Sequence, residues 1–142
     1  MANDIPPELV AQIRRGSTRL ARRLRAERPA DGLSLNKLAV LSHLHRNGPS
    51  TPGEIAVAER QQPQSLTRVI ADLEQAGLII RDRDERDRRQ FLLSLSPDGL
   101  QALAVDASGR DRWLAQSLRE LNETERQVLR LAATLMEELS EL

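Results

Sequence analysis

Apolar residues recur along the first half of the chain with the three-to-four-residue spacing of amphipathic helices. Over residues 8–28 this spacing predicts a long helix whose other faces are rich in arginine. Glycine and proline then divide the pattern, which predicts three further helices at residues 34–47, 51–62 and 63–77. A long helix is therefore followed by three shorter ones.

The residues at the predicted helix starts have capping chemistry. Ser34 and Thr51 can each accept a hydrogen bond from a backbone N–H of the first turn, and Glu54 completes a capping box with Thr51. Pro63 is suited to the first position of a helix, where its missing N–H has no cost. Gly77 is a typical residue just after a helix end.

Two strand-like segments follow the fourth helix. The segments are "LII" at 78–80 and "FLLSL" at 91–95, and alternate residues of the second are apolar, which predicts one buried face that includes Phe91. Nine consecutive charged residues, five arginines and four acids, lie between them at 81–89. The pattern predicts a β-hairpin whose charged far end projects from the core.

Helical spacing returns after the hairpin. Ser96 is placed to cap a long helix, and "NETE" at 122–125 has the chemistry of a capping box in which Asn122 caps the last helix and Glu125 bonds back to it. The predicted fold is mostly α with a small β-hairpin. It is a winged helix-turn-helix flanked by N- and C-terminal dimerisation helices.

The domain prediction follows from this order of elements. We expect a single domain over residues 1–142, with the winged helix-turn-helix at 34–98 and dimerisation helices at 5–30 and 99–142. The flanking helices have apolar stripes that a unit this small cannot cover. The sequence therefore predicts a homodimer.

Composition narrows the possible functions. Lys and Arg together number 21, as do Asp and Glu, but residues 1–30 contain seven basic and three acidic residues. The absence of cysteine excludes disulfides, a thiol redox switch and a thiolate metal site. No apolar run is long enough to span a membrane and the N-terminus does not resemble a signal peptide, so we expect a cytoplasmic protein.

The start of the fourth helix carries candidate DNA-binding residues. In a helix-turn-helix the second helix enters the major groove with its N-terminal residues leading. Glutamine and arginine side chains can pair with adenine and guanine, while hydroxyl groups and free backbone N–H groups suit phosphate oxygens. The candidates lie off the apolar stripe, and they are Gln62, Gln64, Ser65, Thr67 and Arg68.

The charged run suggests a second DNA contact. An arginine-rich hairpin tip beside a recognition helix is placed to enter the adjacent minor groove, where the negative potential is strong. Asp87 and Arg89 are two residues apart and can pair, so the acids are predicted to hold arginine side chains in fixed directions. The mixed charge is therefore interpreted as an arginine probe braced by carboxylates.

Over residues 34–100 these motifs resemble the MarR family of winged-helix transcription regulators. The resemblance is carried by "TPGEIAVA" at 51–58, "SLTRVIADLEQAGLI" at 65–79 and "DRRQFLLSLSPDG" at 87–99. Glu59 and Gln61 depart from the family pattern, which is often apolar near this turn.

The resemblance implies a homodimeric repressor that binds double-stranded, pseudo-palindromic DNA. It also implies a small, often phenolic, effector held between the dimer helices and the winged helix. The wing carries more acid than is usual in the family, at Asp82 and Glu85. The residues implied at the DNA are Ser65, Thr67 and Arg68 on the helix, the pair Asp87 and Arg89 in the wing, and Arg86 and Arg88 near its tip.

Other function classes fit the sequence less well. His43 and His45 are two apart on one helix, which favours surface or capping roles over a metal site, and nothing indicates an enzyme or a cofactor. Two aromatic residues, Phe91 and Trp113, are too few for RNA stacking. Trp113 is assigned to the dimer core or to helix packing, with the lining of a ligand cavity as the alternative. A winged-helix protein–protein adaptor without specific DNA binding remains the alternative.

Overall fold

The computed structural model describes residues 4–142, which form six α-helices and one two-stranded antiparallel sheet. This architecture confirms the predicted winged helix, mostly α with a small β-hairpin. None of the helices within residues 4–142 has the length and apolarity that crossing a membrane requires. The elements are α1 (Pro7–Ala26), α2 (Leu35–Asn47), α3 (Pro52–Ala58), α4 (Pro63–Gln75), β1 (Ile79–Arg83), β2 (Phe91–Leu95), α5 (Pro97–Arg119) and α6 (Glu123–Ser140).

The chain forms two compact units. The first, residues 29–108, contains α2, α3, α4, the hairpin and the beginning of α5. The second contains α1, the remainder of α5 and α6. We call the first the winged-helix unit.

The winged-helix unit has a continuous apolar core. The helices α2, α3 and α4 and both strands contribute to it, and five of its side chains are less than 2% exposed. Each fully buried aliphatic side chain contributes about 1.5–3 kcal/mol to folding. The core residues are Val40, Leu41, Leu44, Ile55, Leu66, Val69, Ile70, Leu73, Ile79 and Leu93.

The predicted helix caps are present. Ser34 Oγ accepts from the Lys37 N–H at 3.2 Å, and Thr51 Oγ1 accepts from the Glu54 N–H at 3.1 Å, which is the Thr51 half of the capping box predicted there. At the start of α6, the reciprocal bonds of a complete capping box join Asn122 and its N3 residue Glu125.

The first strand of the hairpin extends further than the sequence pattern indicates, since the pattern places it at 78–80. Strand β1 extends into the charged run as far as Arg83, which lies opposite Phe91, and only residues 84–90 form the tip. The prediction that Phe91 belongs to the hairpin core is wrong, because this register places it at the outer end of the sheet, where it is 38% exposed. Leu93, two residues further on, is fully buried.

A close junction joins the end of the hairpin to the start of α5. Ser96 Oγ accepts from the Gly99 N–H at 3.0 Å, as the predicted cap requires, and also donates to the Gly77 carbonyl at 2.6 Å. The Ser96 N–H donates to the Leu78 carbonyl at 3.1 Å. The first turn of α5 is thereby held against the segment that links α4 to β1.

The second unit exposes apolar residues along two helices. Neither α1 nor α6 has a fully buried residue. The guanidinium of Arg23 lies over the Trp113 ring, with Cζ 4.9 Å from the ring centroid. The exposed apolar side chains include Leu9, Val10, Ile13 and Leu20 of α1 and Val128, Leu131, Leu135 and Leu139 of α6.

Candidate nucleic-acid interface

Helix α4 presents one buried and one exposed face. Leu66, Val69, Ile70 and Leu73 point into the core of the winged-helix unit. The polar residues between them are free to meet a ligand, because the helical period places them away from that core. All five predicted recognition residues are exposed, namely Gln62, Gln64, Ser65, Thr67 and Arg68.

The first turn of α4 keeps backbone donors available. Its N-cap residue, Gln62, makes no side-chain cap, so the N–H groups that follow Pro63 are not used by the cap. The Thr67 hydroxyl donates to the Pro63 carbonyl at 2.8 Å, so its proton is already engaged within the helix. In this rotamer Thr67 can only accept from a ligand, which differs from the phosphate-donor role predicted for it.

A polar cluster centred on buried His43 joins α2 to the end of α3, just before the turn into α4. His43 is 5% exposed, so the surface or capping role predicted for it is wrong. Its Nε2 lies 3.2 Å from Ser50 Oγ, and its Nδ1 lies 3.3 Å from Asn47 Nδ2 and 3.5 Å from Glu59 Oε1. Arg46 also donates to Glu59 Oε1 at 3.3 Å.

This cluster accounts for one of the two departures from the family pattern. Glu59 is the C-cap residue of α3, where its carboxylate faces two basic side chains of α2 instead of an apolar core. The next residue, Arg60, has a φ of 50°, in the left-handed region. Within residues 4–142, Gln61 Oε1 is buried without a hydrogen-bond partner, so the second departure stays unexplained.

Two aspartates shape the backbone of the wing tip. Asp84 Oδ1 accepts from the Arg86 N–H, and Asp87 Oδ1 accepts from the Arg89 N–H, each at 3.0 Å. The predicted side-chain pair is present but longer, with Arg89 Nε 3.6 Å from Asp87 Oδ1 and the Arg89 side chain 95% exposed. Because an exposed ion pair contributes little, the acids act mainly on the backbone of the turns.

The arginines of the charged run have two different environments. Arg81 donates through Nε and Nη2 to Glu74 Oε1 of α4, at 3.0 and 2.6 Å, and its guanidinium covers the Phe91 ring. The sequence pattern gave no sign of the bond to Glu74, since the two residues belong to different elements. Arg81 is nevertheless exposed, like the other four, of which Arg83 ends β1 and Arg86, Arg88 and Arg89 lie in the tip.

Comparison with known proteins identifies relatives along nearly the whole chain. A model of the MarR family matches residues 31–90. An HTH-type transcriptional regulator of Mycobacterium bovis is 39% identical over 133 residues, which cover 94% of this chain and 93% of that protein. The repressor MdtR of Bacillus subtilis is 33% identical over 94 residues, which cover 66% of this chain and 61% of MdtR.

Solved structures agree with these sequence matches. The crystal structure of a transcriptional regulator from Pseudomonas aeruginosa PA01 superposes with a TM-score of 0.81 at 34% identity, covering 95% of this chain and 94% of the other. These relatives are regulators, in agreement with the prediction that the chain is not an enzyme. The family match and the identity to the mycobacterial regulator show that this protein belongs to the MarR family of winged helix-turn-helix transcriptional regulators.

Proposed function

We propose that this protein is a homodimeric repressor that binds a pseudo-palindromic DNA operator and releases it when a small ligand binds. One observation carries the proposal. The polar face of α4 and the arginines of the wing are both exposed, and both belong to the same compact unit. It acts where bacterial DNA lies, in the cytoplasm.

Each part of this surface has a proposed contact. Gln62, Gln64 and Arg68 contact base edges in the major groove, where amide and guanidinium groups can pair with adenine and guanine. Ser65 and the backbone N–H groups of the first turn contact phosphates. The exposed wing arginines, at positions 86, 88 and 89, enter the adjacent minor groove or contact the phosphates beside it.

Proteins of the same fold support both binding partners. Staphylococcus aureus MepR, with a TM-score of 0.63, is solved bound to an oligodeoxyribonucleotide. The DNA binding of Bordetella bronchiseptica BpsR, with a TM-score of 0.61, is regulated by 6-hydroxynicotinic acid. The name of MdtR, a repressor, supports the direction of regulation proposed here.

A cavity in the winged-helix unit is the proposed effector site. It has a volume of about 510 Å³, within the range typical of small-molecule sites. Leu33, Ala102 and Val105 give it apolar walls. Its polar lining consists of the Gln101 amide and the carboxyl groups of Asp31, Asp98 and Asp106.

The DNA-binding proposal is tested by fluorescence polarisation with a duplex selected from genomic fragments and with a random duplex. We expect tighter binding to the selected duplex, weakened by salt. Arg88→Ala should lower the affinity and flatten the log–log salt dependence by about one unit, because one phosphate contact is lost. Arg22→Ala removes the same charge from α1 and serves as the control. Binding that does not depend on salt or sequence would favour the protein–protein adaptor.

The dimer proposal is tested by analytical ultracentrifugation. The exposed apolar stripes of α1 and α6 are expected to be covered by a second copy, so the sedimenting species should have twice the chain mass of 15.9 kDa. Truncation after Leu121 removes α6 and should cause aggregation or unfolding. A stable monomer at micromolar concentration would contradict the proposal.

A further inference from the structure

Three side chains connect the recognition helix to the wing. Glu74 is the penultimate residue of α4, and its Oε1 accepts from both Nε and Nη2 of Arg81 in β1, at 3.0 and 2.6 Å. The Arg81 guanidinium lies over the Phe91 ring of β2, with Cζ 4.8 Å from the ring centroid. These three residues, which we call the clasp, therefore span all three elements of the proposed DNA-binding surface.

The two charged residues of the clasp lie next to buried residues of the core. Glu74 follows Leu73, which is 1% exposed, and Arg81 lies directly opposite Leu93, which is fully buried. An isolated surface ion pair loses much of its value to side-chain entropy. Here that loss is smaller, because the guanidinium is fixed by two bonds to one oxygen and by an aromatic face.

The position of the clasp suits a role in geometry rather than in direct contact. Arg81 lies near the root of the wing, while the exposed Arg86 and Arg88 lie at its tip. Two of its five N–H groups already donate to Glu74, so a phosphate could use only those that remain. The tip arginines carry no such pairing with α4.

We propose that Glu74 and Arg81 are positioning residues that, with Phe91, set the angle between α4 and the wing. This inference rests on the proposed DNA-binding function. A fixed angle allows the recognition helix and the wing tip to engage adjacent grooves at the same time. Without a fixed angle, the wing tip must become ordered when it binds the second groove, and this ordering costs conformational entropy.

Substitution of Glu74 separates this role from simple electrostatics. Removal of an acid near DNA should tighten binding if only the net charge matters. Loss of the clasp should weaken it instead, and we expect Glu74→Gln to lower the affinity for the preferred duplex about threefold to tenfold. Base preference at the site of Arg68 should not change, because the helix itself is intact.

Asp72→Asn is the matched control. It makes the same change of charge on the same helix, but the nearest cation to Asp72 is Lys37 of α2, at 3.8 Å, and not a residue of the wing. The control should bind DNA as tightly as the unmodified protein or more tightly. Equal DNA affinity of the Glu74→Gln and Asp72→Asn variants would overturn the proposed role of the clasp.

An exchange of the two charges provides a second test. Glu74→Arg and Arg81→Glu should each weaken DNA binding, and the double variant should recover most of the lost affinity, because it restores an ion pair between the same positions. If Arg81 instead contacts a phosphate directly, the double variant remains as weak as Arg81→Glu, and the positioning role is excluded.

A measurement without DNA tests the clasp independently of the proposed function. The chain has no cysteine, so Glu85→Cys provides a single site for a spin label at the wing tip. Paramagnetic relaxation enhancement of the α4 amide protons should correspond to one defined position of the wing tip. When Glu74→Gln is added, the enhancements should instead be averaged over several tip positions. An unchanged pattern would overturn the clasp. Failure of the unmodified protein to bind DNA would instead overturn the proposed function and leave this result standing.

Discussion

Replacement of Gly99 by alanine is expected to lower the free energy of unfolding by about 3 kcal/mol, at the upper end of overpacking effects. A Cβ at this position would lie 2.1 Å from the Leu78 carbonyl oxygen and 2.7 Å from Leu95 Cδ1. The oxygen is backbone and accepts from the Ser96 N–H, so it cannot move away without breaking this hydrogen bond next to the cap of α5. The strain must therefore spread into the start of the helix.

Urea denaturation of the two proteins measures this effect. Gly53→Ala is the matched control, because the nearest heavy atom to its added Cβ, Thr51 Oγ1, lies 3.9 Å away. Gly53 lies within α3, where alanine is favoured over glycine by up to about 1 kcal/mol, so this variant should be as stable as the unmodified protein or more so. If Gly99→Ala unfolds at the same urea concentration as the unmodified protein, the junction between the hairpin and α5 has room for the added Cβ, and the expected strain is absent.

Replacement of Arg68 by alanine should produce the largest loss of DNA specificity. The side chain is exposed beside buried Val69, and a guanidinium paired with guanine contributes about 1–3 kcal/mol of discrimination. We expect an affinity loss of that size, with preference relaxed at one base pair in each half-site. Polarisation titrations with duplexes that differ at single positions measure both quantities.

Ser65→Ala is the comparison for Arg68→Ala. Its hydroxyl is proposed to contact a phosphate, which carries no base identity, so affinity should fall by a similar factor for all duplexes. If Arg68→Ala leaves both the preferred sequence and the affinity unchanged, α4 enters the groove in a different orientation from the one proposed.

Local sequence signals predicted the order of elements and most helix starts. Ser34, Thr51, Ser96 and Asn122 cap their helices as expected, because each cap depends on residues only three positions apart. The exposed face of α4 was also predictable, since its apolar residues follow one helical period. Contact of this face with DNA remains a prediction.

The misassigned residues depend on contacts between segments. Alternation places Phe91 on the same face of β2 as Leu93, but only the register with β1 shows that the core ends before Phe91. Similarly, the partners of His43 include Ser50 and Glu59, which lie on later segments. Neither feature leaves a periodic signal in the sequence.

The partners of the acids in the wing also could not be predicted from the sequence pattern. Their abundance suggested that they hold arginine side chains, and the composition of the run cannot distinguish this from bonds to the backbone. The structure shows that Asp84 and Asp87 accept from main-chain N–H groups, while the acid that holds Arg81 is Glu74 on α4.

The near balance of charge in the wing has a consequence for the proposed DNA binding, because it bears on how quickly the protein would leave a random site. Residues 81–89 contain five arginines and four acids, so the hairpin has little net attraction for phosphates as such. Sequence-independent affinity arises mainly from such attraction. If the wing contacts DNA as proposed, this composition should shorten the residence time on random sites, so that the protein could sample many of them before it reaches the proposed operator.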